Sequence, residues 1–352
     1  MTRRPPTLSD VARRAGVSYA TADRVVNGRA GVSEKASRSV HAAIEALGYV
    51  RNVAAANLSQ QRVYRFGIIL PAGSNAFFRR VQALFDEAAS RLKADRISLS
   101  IESVEAFDAQ ALTAKMAALA DARMDGVAVV ASDDPRTTAA IAELRARNIP
   151  VVTLVSDVPS SQRDAYVGID NVVAGRTVGR LIGMAHGGRA GRVLPVVGAL
   201  SARDHAERLA GMREVLGGEF ELAPVVEGRD RFELVETLVR EALSRDPEIT
   251  AIYSAGAGNA GLVRVLEALP PGTARPYVFL HELVPHSRRA LEDGLIDVII
   301  DQRPEEEVAR VVEHLTLLAD RRALLRTDPI VPTIFVRENL PQEPAGALER
   351  AG

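Results

Sequence analysis

The chain of 352 residues, 47% hydrophobic and 25% charged, is long enough for two or three domains with a sizeable core. It has no cysteine, which excludes a disulfide framework and thiolate metal sites, and no apolar run of about 18 residues that would span a membrane. Its net charge of −1 conceals a split: residues 1–65 hold eleven basic residues against four acidic ones, a surplus of seven, which leaves −8 on the remainder. A basic front on an acidic body assigns any nucleic-acid partner to the front alone. The start, MTRRPPTLSDVARR, has no apolar run after its arginines and does not read as a secretory signal, so a soluble, cytoplasmic protein is expected.

Residues 7–48 carry three amphipathic stretches, each preceded by a residue able to cap a helix. Thr7 caps the first with Asp10 as its capping-box partner, and Leu8, Val11, Ala12 and Ala15 form the buried stripe. Gly16 supplies a tight turn and Val17 plugs the angle to the second helix, which Ser18 caps. That helix turns Ala22, Val25 and Val26 inward and leaves Tyr19, Ala20, Asp23 and Arg24 facing out. Ser33 caps the third, which buries Ala36, Val40, Ile44 and Leu47 and stops at Gly48. A short turn followed by a helix with outward Tyr and Arg is the pattern of a helix-turn-helix that presents side chains to a major groove.

The segment TLSDVARRAGVSYATADRVVNGRAGVSE resembles the head of the lactose/galactose-repressor (LacI/GalR) family at nearly every position from Thr7 to Gly48. The resemblance implies that Tyr19, Ala20 and Arg24 sit at base-reading positions and that Ser18, Thr21 and Asn27 contact or flank phosphates. Arg is the commonest reader of guanine, and Ala20 can offer only an apolar contact, for instance to a thymine methyl. Ala22-Asp23 stands where the family usually has Val-Ser; Asp23 either orients Arg24, accepts from a cytosine amino group, or simply faces solvent. In residues 50–64 the family has a hinge, a short helix that forms only on DNA and drives a leucine into the minor groove. Leu58 matches that leucine and Ala55 the small residue beside it, a wedge that exchanges unstacking for a bent duplex. Arg51 replaces the family's usual proline at the start of the hinge.

From residue 65 to about 340 strand-like runs alternate with amphipathic helices. The runs are FGIIL (66–70), ISLSIESV (97–104), GVAVVAS (126–132), VVTLVS (151–156), RVLPVVG (192–198), AIYSA (251–255), YVFLHE (277–282) and VIIDQ (298–302). Such alternation predicts parallel sheets covered on both faces, and the length predicts two lobes with a cleft. Ligands of open α/β sheets sit beyond the carboxyl ends of strands, where Asn75, Phe77, Phe78, Ser132, Asp133, Asp134 and Asp157 fall. One of the two phenylalanines is expected in the core. YVGIDNVVAGRTVG, GALSARDHAERLAGM, YSAGAGNAG and VIIDQRPEE are similar to the periplasmic sugar-binding-protein (type I) fold that this repressor family uses as a sensor. That similarity implies a cleft containing Asn75, Phe78, Asp133, Asp170, Arg208, Asn259 and Gln302. His281-Glu282 stands where sugar-binding relatives often have an Asp. The implied ligand is a sugar, sugar acid or cyclitol.

Gly256–Gly261 forms a literal G-x-G-x-x-G after a strand, with Glu282 ending the next one. That is the dinucleotide fingerprint and makes a nicotinamide-dependent oxidoreductase the rival reading, although it gives residues 7–58 no role. His281, Glu282 and His286 are spaced H-E-x-x-x-H, one residue too long for a zinc pair on one helix face, and no nucleophile-elbow pattern occurs. A sugar-binding protein without regulatory role leaves the head unexplained. The expectation is a non-enzymatic homodimer without metal or cofactor, whose heads (1–49) read a pseudo-palindromic operator on duplex DNA. Its body (65–340) would sense the effector, and a tail (341–352) would follow without coiled-coil heptads.

Overall fold

The computed structural model describes residues 6–26, 31–47, 49, 62–73, 75–270 and 272–342. Gly48, most of the expected hinge and most of the tail lie outside them. The described residues fall into two compact units that divide between Arg62 and Val63.

The described residues of the front unit form three helices, α1 (Leu8–Ala15), α2 (Tyr19–Val26) and α3 (Glu34–Leu47). Thr7 and Asp10 form a reciprocal capping box: the Asp10 N–H donates to Thr7 Oγ1 at 3.3 Å and the Thr7 N–H to Asp10 Oδ2 at 2.9 Å. Gly16 closes α1 at φ +66°, the left-handed conformation a helix stop requires. Val11, Ala12, Ala22, Val40 and Ala43 form the core, with Leu8, Val17, Val25, Val26, Ile44 and Leu47 packed around it. Ala36, expected inside, is only half-buried, and Ala43, about two turns further along, is buried instead.

The body has two parallel sheets. The first is ordered β2-β1-β3-β4-β5, from β1 (Tyr64–Ala72), β2 (Ile97–Glu105), β3 (Gly126–Val129), β4 (Val151–Leu154) and β5 (Ala165–Val167). It carries helices α4 (Ala76–Leu92), α5 (Ala109–Asp121) and α6 (Pro135–Ala146). The second sheet runs β12-β11-β10-β9-β6-β7, with β8 pairing β6. Its strands are β6 (Gly191–Val197), β7 (Phe220–Leu222), β8 (Val226–Glu227), β9 (Ala251–Ser254), β10 (Tyr277–His281), β11 (Val298–Asp301) and β12 (Thr333–Phe335). Helices α7 (Asn171–His186), α8 (Arg203–Val215), α9 (Phe232–Arg245), α10 (Asn259–Glu267) and α11 (Pro285–Glu292) belong to this lobe. β11 and β12 alone pair antiparallel among the described strands. The central strands are buried on both faces, as parallel sheets between helix layers require.

The chain crosses between the lobes three times. It leaves the first lobe at Gly168–Asp170 and returns at Gln302–Arg303 as α12 (Pro304–Ala319). It crosses again through Ile330, whose N–H donates to Gly168 O at 2.8 Å. Val308, Val311 and Leu315 of α12 pack in the core of the first lobe with Phe66, Ile68 and Phe85.

Candidate DNA-reading helix and interlobe cleft

In the front unit, α2 begins at Ser18, whose Oγ accepts from the Thr21 N–H at 3.1 Å and shares a 2.8 Å hydrogen bond with Thr21 Oγ1. Ala22 faces inward and fully buried, which fixes the rotation of the helix. Tyr19 is 57% exposed, and Ala20 and Arg24 are exposed beside it, while Asp23 and Thr21 are half-buried. A helix with a fixed inner face and a free Tyr-Ala-Arg outer face can enter a major groove by its N-terminal half. Thr7 acts as the α1 cap described above. Asn27, Ala55 and Leu58 fall outside the described residues.

In the body, a cavity of about 570 Å³ lies between the carboxyl ends of the two sheets. Asn75, Phe77, Phe78, Asp133, Arg208, Glu282 and Gln302 line it. Phe77 belongs to the core of the first lobe, and Phe78 meets it edge-on at 5.2 Å between ring centres. Arg208 on α8 is 2% exposed; its Nε donates to Asn171 Oδ1 and its Nη1 to Ala255 O, both at 2.8 Å. Gln302 donates from Nε2 to Glu282 Oε1 at 2.5 Å. Three buried atoms around this cavity have no protein partner among the described residues: Arg208 Nη2, Glu282 Oε2 and Gln302 Oε1. The lobes also meet directly. Asn75 Nδ2 donates to Asp230 Oδ2 at 3.0 Å, Arg203 pairs with Asp133 at 3.0 Å, and Arg80 Nη1 donates to Asp301 Oδ2 at 2.9 Å.

Three expected cleft residues do not line the cavity. Asp170 is exposed and caps α7, accepting from the Val173 N–H. Asn259 is buried behind the wall, where it accepts from Ser254 Oγ and donates to His281 O. His281 is fully buried against Tyr253, with Nε2 2.9 Å from the phenol oxygen. Local partners take Asp170 Oδ1, both amide atoms of Asn259 and His281 Nε2, while His281 Nδ1 has no hydrogen-bond partner among the described residues.

The profile of the lacI family of bacterial regulatory proteins matches residues 7–52, and that of the periplasmic binding protein domain matches residues 66–323. The HTH-type transcriptional regulator CelR of Thermobifida fusca is 32% identical over 76% of this chain and 78% of its own. The chain belongs to the lacI family of bacterial regulatory proteins. It is a DNA-binding transcriptional regulator. The match to the regulator DegA of Bacillus subtilis, 26% identical, spans 60% of each chain, less than two thirds of that relative's length. GanP, a glucose-galactose binding protein from Geobacillus stearothermophilus, shares the fold of the body: TM-score 0.72, 23% identity, 80% of this chain and all of that one covered.

The electrostatics of the regulator's cleft follow from burial. Glu282 is pushed up to about 8, first by burial and then by neighbouring Asp301. Glu307 on α12 is fully buried with neither oxygen partnered, and burial, then Glu282 and Asp301, hold it well above the usual carboxylate range. Burial opposes the charge of Asp204, but His205, Arg208 and Ser156 outweigh it and hold its pKa low. His281 stays neutral, because burial and then the positive charge of Arg208 push it well below its ordinary value.

Asp204, His205 and Asp230 line the cavity and were not anticipated from sequence. Asp230 follows β8, a strand of two residues too short to announce a strand end, and sits at φ +57°. The glycines of the G-x-G-x-x-G loop are accounted for by packing. A Cβ on Gly256 would lie 2.4 Å from Gly198 N and one on Gly261 1.9 Å from Phe232 O, and Gly258 turns the chain at φ +86°. Among the described residues no three His, Asp or Glu side chains gather into a metal site, and no helix is long and apolar enough to cross a membrane.

Proposed function

We propose that this regulator is a homodimer in the cytoplasm whose two α2 helices read a pseudo-palindromic operator, and whose operator affinity follows occupancy of the interlobe cleft. The effector is a small polyhydroxylated molecule: a sugar, sugar acid or cyclitol. The observation that carries the reading is the set of buried, unpartnered polar atoms on the cavity wall, on Arg208, Glu282 and Gln302. Buried polar groups without partners are costly, and ligand hydroxyls, each both donor and acceptor, match a wall that mixes both.

Tyr19, Ala20 and Arg24 read bases in this account. Ser18, Thr21 and Asn27 hold phosphates, Asp23 orients Arg24, Thr7 fixes the first helix, and Leu58 beside Ala55 wedges the minor groove. Effector that favours one arrangement of the lobes changes the spacing of the two hinges, and coupling is limited to its differential affinity for the two arrangements.

The test is operator selection from a random duplex pool by the full-length protein, followed by mobility shifts with a panel of sugars, sugar acids and cyclitols. An enriched half-site repeat whose retention changes with one panel member supports the reading. No preference over random competitor, with or without the panel, removes it.

A further inference from the structure

Resting on that effector reading, we propose that the cleft selects a polyol bearing a protonated amine, an amino sugar or aminocyclitol, with the carboxylate of Glu282 as its counter-ion. Three observations converge on it. The cavity lining carries seven carboxyl groups, on Glu105, Asp108, Asp133, Asp134, Asp204, Asp230 and Glu282, against three guanidiniums, on Arg136, Arg208 and Arg229. Two of the seven are neutralised by adjacent arginines, Asp133 by Arg203 and Asp134 by Arg136. The surplus is concentrated at the buried end, where Asp204, Asp230 and Glu282 are each more than nine-tenths buried.

Glu282 is the deciding side chain. Its Oε1 takes the amide of Gln302, and its Oε2, also buried, meets no donor among the described residues. Of the cations near it, Arg80 is engaged by Asp301 and Glu305, and Arg208 is one guanidinium facing Asp204, Glu282 and Glu307 together. A uronic acid or sugar phosphate would add a negative charge to carboxylates already in excess of their partners, which disfavours it. A neutral hydroxyl could accept from Arg208 Nη2, but it gives Glu282 no reason to ionise and so makes no use of its charge. An ammonium supplies three donors and the missing charge at once. Burial and Asp301 push Glu282 up to about 8, so a cation seated on it draws the group back into its ionised form and releases a proton.

The experiment titrates the full-length protein by calorimetry at pH 7 with matched sets. These are glucose, glucosamine, N-acetylglucosamine and glucuronate; galactose with galactosamine; and myo-inositol with 1-amino-1-deoxy-scyllo-inositol. One amine should bind about tenfold or more tighter than its neutral parent, near 1.4 kcal/mol, and N-acetylation should erase the gain. Glu282→Gln should weaken that amine by about tenfold more than it weakens the neutral parent, so that the gain from the amine disappears. Asp230→Asn provides a second variant should the first not fold. A neutral sugar, cyclitol or uronate that binds more tightly than every amine overturns this inference and leaves the effector reading intact. Amine binding indifferent to Glu282→Gln and Asp230→Asn also overturns it. Silence across the whole panel overturns both.

Discussion

Arg208 Nε donates to Asn171 Oδ1 at 2.8 Å, so the first residue of α7, just past the first crossing between the lobes, is tied to the cationic side chain of the cleft. Both residues are buried, Arg208 to 2% and Asn171 to 4% exposure. Replacing Arg208 by Met keeps most of the stem but strands Asn171 and leaves Asp204, Glu282 and Glu307 without their shared cation. Removing one partner of a buried charge network costs about 3–5 kcal/mol. Chemical denaturation should show that loss. Mobility shifts should show operator binding retained and the effector response gone, and a normal response would place the effector elsewhere.

Glu307 contributes to the pH dependence of the body. Its folded pKa lies well above 4.5, so the unfolded state ionises first as pH rises and stability falls through and above that point. Glu282 acts in the same direction between about 4.5 and 8. Glu307→Gln lacks the titration. Its melting temperature should match wild type near pH 4.5 and exceed it at pH 8 by an amount that grows with pH. Parallel melting curves across that range would show that Glu307 is ionised in the fold.

Gly211 allows α7 and α8 to touch through their backbones: a Cβ there would lie 2.0 Å from Val172 O. Because that neighbour is backbone, it cannot swing aside as a side chain could. Gly211→Ala should cost about 1–3 kcal/mol or more by urea denaturation, with effector binding weakened through the displaced Arg208 helix. Wild-type stability would mean that the helices can separate without penalty.

In the front unit, Arg24→Ala should lower discrimination between operator and scrambled duplex by about 1–3 kcal/mol, while salt-sensitive binding to random DNA persists. Competition mobility shifts at two salt concentrations measure both quantities. Unchanged discrimination would remove Arg24 from the reading set.

The head was legible in the sequence because its signals are local. Thr7 with Asp10, Gly16, and the stripe through Val11 and Ala22 each act within a turn or two. The eight strand-like runs of the body all correspond to strands; six strands end one to three residues before their runs do, and β1 and β2 continue one or two residues beyond theirs. β5, β7, β8 and β12 escaped, since each has two or three residues and is held by its neighbours rather than by its own pattern. The cleft was read with less accuracy for one chemical reason. Asp and Asn after a strand serve a helix N-terminus as readily as a ligand, and Asp170 does only the former. Asn75 caps α4 through Oδ1 and also lines the cavity, with Nδ2 bridging to Asp230. Asp230 approaches the cavity from a turn with no periodic signal at all.

The return of α12 into the first lobe has a consequence for biogenesis. Phe66 and Phe85 leave the ribosome well before Val308, Val311 and Leu315, which pack in the same core. The half that is translated first is therefore sealed last, and until then it must hold an unfinished apolar face while some two hundred residues are added. Loss of the final quarter of the chain would damage the beginning of the receptor as much as its end, and such fragments should be prone to aggregate.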